Sequence, residues 1–232
     1  MSGHSHFAES IEEYLEAVYR LEREGPGVTT SGLASELGVA PASVSGMLKK
    51  LAADGYVELV ARGEAKLTRR GLEVGVRVLR RHRLAERLLT DVLGMGWEEV
   101  HSEACMLEHA ISENVERKLI ELLGDPQTCP HGHPIPPKDL SDPVRIGIPL
   151  AQLESGSQAE VYGVTDEVPE ILRYLGEIGL RPGTNVLIHE KAPLGGPMTI
   201  EIDGRMYPIS LELARMVIVE TRNEINGRAT VA

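Results

Sequence analysis

The stretch HSEACMLEH, residues 101–109, concentrates groups that could bind a metal ion or act as a nucleophile. If the stretch is helical, Cys105, Glu108 and His109 lie on one face, because positions i, i+3 and i+4 are neighbours on a helix surface. A thiolate, a carboxylate and an imidazole together suit a first-row divalent ion, whereas structural zinc sites more often use several thiolates. Solvation alone would not select cysteine here, so the spacing predicts a metal site.

Imidazoles and carboxylates also share helix faces elsewhere. These are His101, one turn before Cys105, the i, i+4 pair His82 and Glu86, and the i, i+3 pair Glu13 and Glu16. A lone His–Glu pair on a helix is usually a surface salt bridge. We therefore treat these residues as metal ligands only in combination with residues 101–109.

The composition restricts the class of protein. The 232 residues suffice for one large domain or for two or three small ones. No apolar run approaches the roughly 20 residues that a membrane span needs, and two cysteines do not make the disulfide framework of a secreted protein. We therefore expect a cytoplasmic protein that has no membrane partner.

The N-terminal third of the chain predicts three helices and a hairpin. Apolar side chains recur at helical spacing in residues 10–24, and a short helix within 28–39 and another over 41–55 follow. YVELV (56–60) and KLTRRG (66–71) alternate like paired strands on either side of a turn. Helix, turn, helix and hairpin together predict a winged helix-turn-helix.

Basic residues cluster in and after this region. Between residues 39 and 83 there are ten basic and four acidic residues, which is a net charge of +6 in a chain of −11. Small residues on the second helix of the motif would allow close approach to the major groove, and cations would meet phosphates. The predicted DNA contacts are Ala40, Ala42, Ser43, Ser45, Gly46, Lys49, Lys50, Arg62 and Lys66. A winged helix can also serve only as a protein-interaction module, but the basic window favours double-stranded DNA.

The remainder of the chain predicts a helical region and a small β-barrel. Residues 72–123 predict three helices with more apolar surface than one winged helix can cover, so we expect a homodimer through them. Residues 127–144 are rich in Pro and Gly and predict an ordered loop and linker. From residue 148, short strands separated by Gly and Pro surround one helix over 169–179.

Three stretches carry a family resemblance. RHRLAERLLTDVLG (81–94) and VHSEACMLEHAISENVERKL (100–119) closely resemble the diphtheria-toxin-repressor family of iron- and manganese-dependent repressors, and CPHGHPIP (129–136) is another signature of that family. The resemblance covers residues 8 to 222 or so and implies a winged helix, a helical dimerisation domain and an SH3-like barrel. By this resemblance the primary metal site has Glu13, Cys105, Glu108 and His109, and the ancillary site has His82, Glu86 and His101.

The expected fold is therefore mainly α with a small β part. The predicted domains are a winged-helix DNA-binding domain (1–71), a helical metal-binding and dimerisation domain (72–142), a linker with the SH3-like barrel (143–222) and a tail (223–232).

The chain departs from the family pattern at its metal ligands. The iron-sensing branch has methionine where this chain has Glu13, whereas the manganese-sensing branch has acids at the positions of Glu13 and Glu16 and often another in place of Cys105. From the barrel, Asp166 or Glu167 could contribute to the ancillary site. Because carboxylates suit Mn(II), we expect Mn(II) to be preferred and Fe(II) to come second, with Co(II), Ni(II), Cd(II) or Zn(II) able to activate in vitro.

These observations predict a metal-dependent repressor that binds operators of metal-homeostasis genes. One alternative is a winged-helix regulator that senses an organic ligand, in which the polar residues are only structural. The other is a thiol hydrolase with Cys105 and His109, in which Glu108 orients the base. Against the hydrolase, the three groups share one helix face and no Gly-rich oxyanion turn lies beside them.

Overall fold

The computed structural model of the protein describes residues 3–24, 27–60, 64–141 and 147–221. The chain divides into two compact units, each made of several segments. Unit 1 comprises Met1–His82, Cys105–Lys118 and Ile135–Pro143, and unit 2 comprises Arg83–Ala104, Leu119–Pro134 and Val144–Ala232.

Helices dominate the first half of the chain and strands the second. The helices are α1 (Gly3–Glu24), α2 (Thr30–Glu36), α3 (Pro41–Ala53), α4 (Arg69–Arg87), α5 (Val100–Leu107), α6 (Glu113–Leu123), α7 (Pro169–Glu177) and α8 (Leu211–Met216). The strands are β1 (Val57–Leu59), β2 (Ala65–Leu67), β3 (Ile148–Pro149), β4 (Gln158–Val164), β5 (Asn185–Lys191), β6 (Met198–Ile202), β7 (Arg205–Ile209) and β8 (Val217–Thr221).

Unit 1 contains the predicted winged helix-turn-helix. The side chain of Thr29 caps α2 by accepting the Gly32 N–H at 3.0 Å, and Pro41 occupies the first turn of α3. Strands β1 and β2 pair antiparallel as the wing, with Glu58 opposite Lys66. Helices α1, α2 and α3 and the wing share one apolar core, so they form a single module in the fold.

Helix α1 is longer than the sequence pattern predicted. It begins at Gly3 and not near residue 10, because neither proline nor glycine interrupts the chain between these positions. Helix α1 also lies very close to α4: a Cβ atom on Gly75 would be 2.7 Å from the carbonyl oxygen of Leu15. Glycine at position 75 therefore allows the backbones of the two helices to approach.

The helical region differs in detail from the prediction. Three helices were expected over 72–123, and the first of them, α4, begins at Arg69, ends at Arg87 and continues as a π-helical turn, Leu88–Val92. Ser112 caps α6, since the Val115 N–H donates to Ser112 Oγ at 3.3 Å.

Unit 2 contains a six-stranded antiparallel sheet in the order β3-β8-β4-β5-β6-β7. Its apolar core is almost entirely aliphatic, and Trp97, 2% exposed, is the aromatic side chain buried in it. The two-residue strand β3 and the short helix α8 had not been predicted. The structure confirms the expected fold class, a mainly helical chain with a C-terminal β part.

The predicted tail, residues 223–232, lies outside the described residues. Among the helices that are described, none has both the length and the apolar character of a membrane span.

Candidate metal centres and DNA-binding surface

Five side chains with metal-binding groups meet in unit 1. We name them the Glu108 cluster: Glu12 of α1, His82 of α4, Cys105 of α5, and Glu108 and His109 directly after α5. The Glu108 carboxylate lies between two imidazoles, with Oε2 2.6 Å from His82 Nδ1 and Oε1 3.3 Å from His109 Nε2. His109 Nδ1 is 2.8 Å from Glu12 Oε2, and Cys105 Sγ is 4.0 Å from His82 Nδ1. Cys105, Glu108 and His109 thus meet in one cluster, although α5 ends at Leu107, so that of the three only Cys105 lies on the helix.

The electrostatics of the Glu108 cluster suit a cation. The side chains of His82 and Glu108 are only 5% and 3% exposed, and a buried carboxylate needs a paired positive charge or a metal. Burial alone lowers the pKa of His109, but the hydrogen bond to Glu12 and the charge of Glu108 outweigh it and raise that pKa. His109 Nε2 is buried and has no hydrogen-bond partner among the described residues. Nitrogen, oxygen and sulfur donors of this kind fit a first-row divalent ion.

The acids of α1 take different positions from those expected. Glu13, the predicted ligand, is exposed, and Glu16 is buried. The α1 carboxylate that contacts His109 belongs to Glu12, which also pairs with Arg77 at 3.3 Å. Sequence reasoning missed Glu12, although its i, i+4 spacing from Glu16 was a signal. A role for Glu13 and Glu16 as ligands stays a prediction.

A second set of such side chains meets in unit 2. We name it the Glu86 cluster: Glu86 of α4, His101 of α5, Cys129, His131 and His133 of the CPHGHPIP loop, and Glu167 of the segment between β4 and α7. Glu86, Cys129 and His131 each offer a ligand atom within 4.8 Å of the other two, and so do Glu86, His101 and Glu167. His101 Nδ1 is 2.8 Å from Glu167 Oε2, and His131 Nδ1 is 3.5 Å from Glu86 Oε1.

Opposite charges are concentrated in the Glu86 cluster. Burial lowers the pKa of His131, but hydrogen bonds with Cys129 and Glu86 and the charge of Glu167 outweigh it and raise that pKa to about 11. Burial and the charge of Glu86 raise the pKa of Cys129. Although burial opposes it, His101 and His133 hold the pKa of Glu167 well below its usual range. A divalent cation would replace protons in this cluster, because metal ligands must be deprotonated.

Two closely apposed backbone segments hold His131 in place. The His131 carbonyl accepts the Val164 N–H of β4 at 2.9 Å, and the Cys129 N–H donates to the His133 carbonyl at 2.8 Å. Gly132 has φ +91°, and a Cβ atom there would lie 2.2 Å from the Tyr162 carbonyl oxygen. Only glycine fits this position, so the loop presents its imidazoles at one fixed distance from β4.

Three segments of the chain match known protein families. Residues 6–65 match the model for the N-terminal DNA-binding domain of iron-dependent repressors, residues 68–137 match their metal-binding and dimerisation domain, and residues 148–221 match the FeoA domain. The iron-dependent repressor IdeR of Mycobacterium tuberculosis is 35% identical over 91% of this chain and 97% of its own length. The diphtheria toxin repressor of Corynebacterium diphtheriae is 38% identical over 91% of this chain and 97% of its own length. The chain belongs to the iron-dependent repressor family.

Solved structures of similar fold include metal-regulated members. A manganese-dependent transcriptional repressor in complex with manganese has a TM-score of 0.81 at 31% identity, and the match covers 91% of this chain and 99% of that one. The T. acidophilum IdeR has a TM-score of 0.72 at 30% identity, covering 90% and 97%. The resemblance on which the sequence analysis relied is thereby confirmed.

The ligands predicted from the sequence differ in part from the side chains that meet in the two clusters of this iron-dependent repressor. His82, expected with Glu86 and His101, contacts Cys105 and Glu108 in unit 1. Of the two candidate barrel acids, Glu167 joins the Glu86 cluster, whereas Asp166 is exposed. Cys129, His131 and His133 were missed as candidate ligands. Their Cys-x-His-x-His spacing was visible, but it was used only as a family signature.

The predicted DNA contacts of this family member occupy α3 and the wing. All of them that the structure describes are exposed except Ser45, which is half-buried: Ala40, Ala42, Ser43, Gly46, Lys49, Lys50 and Lys66. A Cβ atom added at Gly46 would meet nothing within 4 Å, so this face of α3 is open. Arg62 lies outside the described residues.

Proposed function

We propose that this member of the iron-dependent repressor family represses transcription by binding operator DNA when Mn(II) or Fe(II) occupies its metal centres. The observation that carries the proposal is the Glu108 cluster, in which Glu12 on the first helix of the winged module meets His109 and, through it, Glu108 and His82. Relatives named as iron-dependent and manganese-dependent repressors support the same function.

The residues of the Glu108 cluster explain how metal would control the winged module. Without a metal ion, the imidazole of His109 lies between the carboxylates of Glu12 and Glu108, and a proton on this ring offsets their repulsion. When bound, a divalent cation supplies the positive charge that these groups bind together. Helix α1 is then held against α4 and α5, and α3 follows because it shares the apolar core of α1. Metal binding and DNA binding therefore stabilise each other reciprocally.

The proposed ligands of the first ion are Cys105, Glu108 and His109 of the Glu108 cluster, together with Glu13 from α1 and with Glu16 as a further carboxylate. Glu12 has a different role: its carboxylate accepts the Nδ1–H of His109, which leaves Nε2 of the same ring for the metal. The Glu86 cluster would hold a second ion through Glu86, Cys129 and His131, with His101 and Glu167 as its other donors. Cys105 thus serves in metal binding and not in catalysis.

Oxygen donors outnumber sulfur donors in the Glu108 cluster, and this favours Mn(II) over Fe(II). Glu13→Met is expected to weaken activation by Mn(II) more than activation by Fe(II), the latter measured without oxygen. Glu12→Gln is the matched variant on the neighbouring residue. It is expected to weaken activation by both metals equally, because Glu12 orients His109 and pairs with Arg77 but is not a proposed ligand. If Glu13→Met leaves the Mn(II) response unchanged, Glu13 is not a ligand.

Repressors of this kind read two half-sites as two-fold dimers, and the spacing of their recognition helices sets the half-site spacing. Large apolar side chains of the helical region that are exposed in the single chain are Val92, Leu93, Met106, Leu107, Val115 and Leu122. We propose that a homodimer buries them, and that α3 and the wing contact DNA. A monomer at micromolar concentration in sedimentation with Mn(II) would contradict the dimer.

The decisive experiment is DNA binding at buffered free metal. A duplex recovered by selection from a random pool in Mn(II) is titrated with the protein, and binding is followed by fluorescence anisotropy. The expected dissociation constant rises about 10–100-fold when a chelator removes the metal, which is the usual range of an allosteric coupling. Lys49→Ala is the control, because it should weaken binding with and without metal alike. Equal affinity for DNA in both conditions would refute metal activation.

A further inference from the structure

Trp97, in the turn before α5, makes an unusual set of contacts with His131. The two rings stack with centroids 5.7 Å apart and planes 29° apart. The backbone carbonyl of the same tryptophan is 2.7 Å from His131 Nε2. Both residues are almost completely buried, His131 at 0% and Trp97 at 2% exposure. One residue therefore fixes both the plane and one ring nitrogen of this imidazole.

The carbonyl contact determines which nitrogen of His131 can bind a metal. A carbonyl oxygen only accepts hydrogen bonds, so Nε2 must carry a hydrogen and donate it. Nδ1 then remains as the nitrogen with a free lone pair in the neutral ring, and it faces the carboxylates of Glu86 and Glu167 at 3.5 Å and 3.6 Å. Histidine ligands generally have their tautomer set by such an outer hydrogen bond.

The indole connects this contact to the β-sheet domain within unit 2. Trp97 Nε1–H donates to the Leu172 carbonyl of α7 at 3.1 Å, and the guanidinium of Arg181 lies 5.1 Å from the indole ring centroid. A Cβ atom on Gly176 of α7 would be 3.1 Å from Nε1. The indole is thus enclosed between the imidazole and α7.

We infer that Trp97 is a positioning residue of the Glu86 cluster, which orients His131 for metal binding and links the occupancy of that cluster to helix α7. This inference rests on the metal centre proposed above. It adds a residue that bears no ligand atom, and it predicts that α7 responds when Mn(II) binds.

The first test needs no mutation of the tryptophan. Because the chain has a single Trp, the indole gives one ¹H–¹⁵N resonance in the full-length protein. Paramagnetic Mn(II) is expected to broaden that resonance in the wild type and in His109→Ala, a variant in which the Glu108 cluster is impaired. When His131→Ala is added to His109→Ala, the broadening should be lost. A resonance that stays sharp while the His131-dependent class of Mn(II) sites fills would overturn the inference and leave the metal centre standing.

The second test uses substitutions of Trp97 and the free Mn(II) signal in electron paramagnetic resonance as the measure of binding. Trp97→Leu removes the stacked ring and is expected to weaken the His131-dependent class about tenfold, as outer-shell changes do. Trp97→Phe keeps a ring over the imidazole and should restore most of the affinity. Ile200→Ala, a truncation in the same apolar core but on β6 and not on α7, is the control for general loss of stability and should leave Mn(II) affinity unchanged.

The outcomes separate the two proposals. The inference is supported if Trp97→Leu weakens Mn(II) binding, Trp97→Phe restores it and Ile200→Ala leaves it unchanged. Equal weakening by Trp97→Leu and Ile200→Ala would overturn it, since the effect would then come from the core and not from the imidazole. Absence of any His131-dependent Mn(II) binding in the wild type would refute the metal centre itself and the role of Trp97 with it.

Discussion

Gly132→Ala should damage the Glu86 cluster without removing any ligand. The backbone of Gly132 lies against β4, where a Cβ atom would be 2.2 Å from the Tyr162 carbonyl oxygen and 2.4 Å from the Cα of Gly163. Both neighbours are backbone atoms and cannot rotate away. The methyl group must therefore push the CPHGHPIP loop off β4, and His131 and His133 move with it.

A matched control, Gly156→Ala, separates the loss of stability in Gly132→Ala into two parts, the strain of a positive φ and the clash with β4. Gly132 and Gly156 both have positive φ, +91° and +85°, but a Cβ atom on Gly156 would meet nothing within 4 Å. Alanine in this conformation costs about 1–2 kcal/mol, part of which is offset by about 0.4–1 kcal/mol from the stiffer unfolded chain. Overpacking adds about 1–3 kcal/mol, at the upper end here. We expect a loss in the free energy of unfolding of roughly 3–4 kcal/mol for Gly132→Ala and about 1 kcal/mol for Gly156→Ala.

Urea unfolding followed by the emission of Trp97 measures both losses, because this indole lies in the apolar core of unit 2. Mn(II) binding to the His131-dependent class should weaken at least tenfold in Gly132→Ala and stay unchanged in Gly156→Ala. If the two variants lose the same stability and bind Mn(II) equally well, the loop does not contact β4 as described, and the account of how His131 is held is wrong.

Two further predictions concern unit 1. Burial raises the pKa of Glu116, but Lys138 and Arg80 outweigh it and hold that pKa below its usual value; the ion pairs therefore stabilise the fold above the unfolded pKa of about 4.3, and this stability is lost as the pH falls through the folded pKa. Glu116→Gln should lower the free energy of unfolding by roughly 2–3 kcal/mol at pH 7. It should also flatten the acid limb of a plot of melting temperature against pH, and an acid limb identical to that of the wild type would contradict this. Thr29→Ala removes the cap of α2 and should lower the free energy of unfolding in urea by about 1 kcal/mol. Ser31→Ala, two residues further along the chain, should lower it by less, and equal losses would mean that the cap does not stabilise α2.

Local periodicity predicted most of the fold. Val44, Leu48 and Leu51 are buried along α3, as their helical spacing indicated, and the wing strands pair where alternation placed them. The strand β3 has only two residues and no detectable period. Helix α8 was missed although Ser210 caps it by accepting the Leu213 N–H, because a six-residue helix is shorter than the window in which a period can be recognised.

Some residues of the candidate sites could be predicted from their spacing in the sequence, whereas others are brought together only by tertiary packing. Cys105, Glu108 and His109 are close in sequence, with Cys105 in the last turn of α5 and the other two directly after it, so their short spacing was enough to predict that they meet. Which α1 acid meets His109 depends on the rotation of α1 about its axis, and this is set by packing far away in the chain, including the close approach at Gly75. His131 lies in a loop without periodicity, so only tertiary closure brings it to Glu86.

The two cysteines of this chain lie one in each cluster, and their surroundings differ sharply. Cys105 is exposed and Cys129 is buried. Thiol oxidation and alkylation follow accessibility and thiolate character. In a sample kept in air we therefore expect Cys105 of the Glu108 cluster to be oxidised first, while Cys129 of the Glu86 cluster stays reduced. Such a preparation would still bind metal at the proposed site in the Glu86 cluster but not at the one in the Glu108 cluster, which includes Glu12 of the winged module. Counting reactive thiols before each measurement distinguishes this sample from fresh protein.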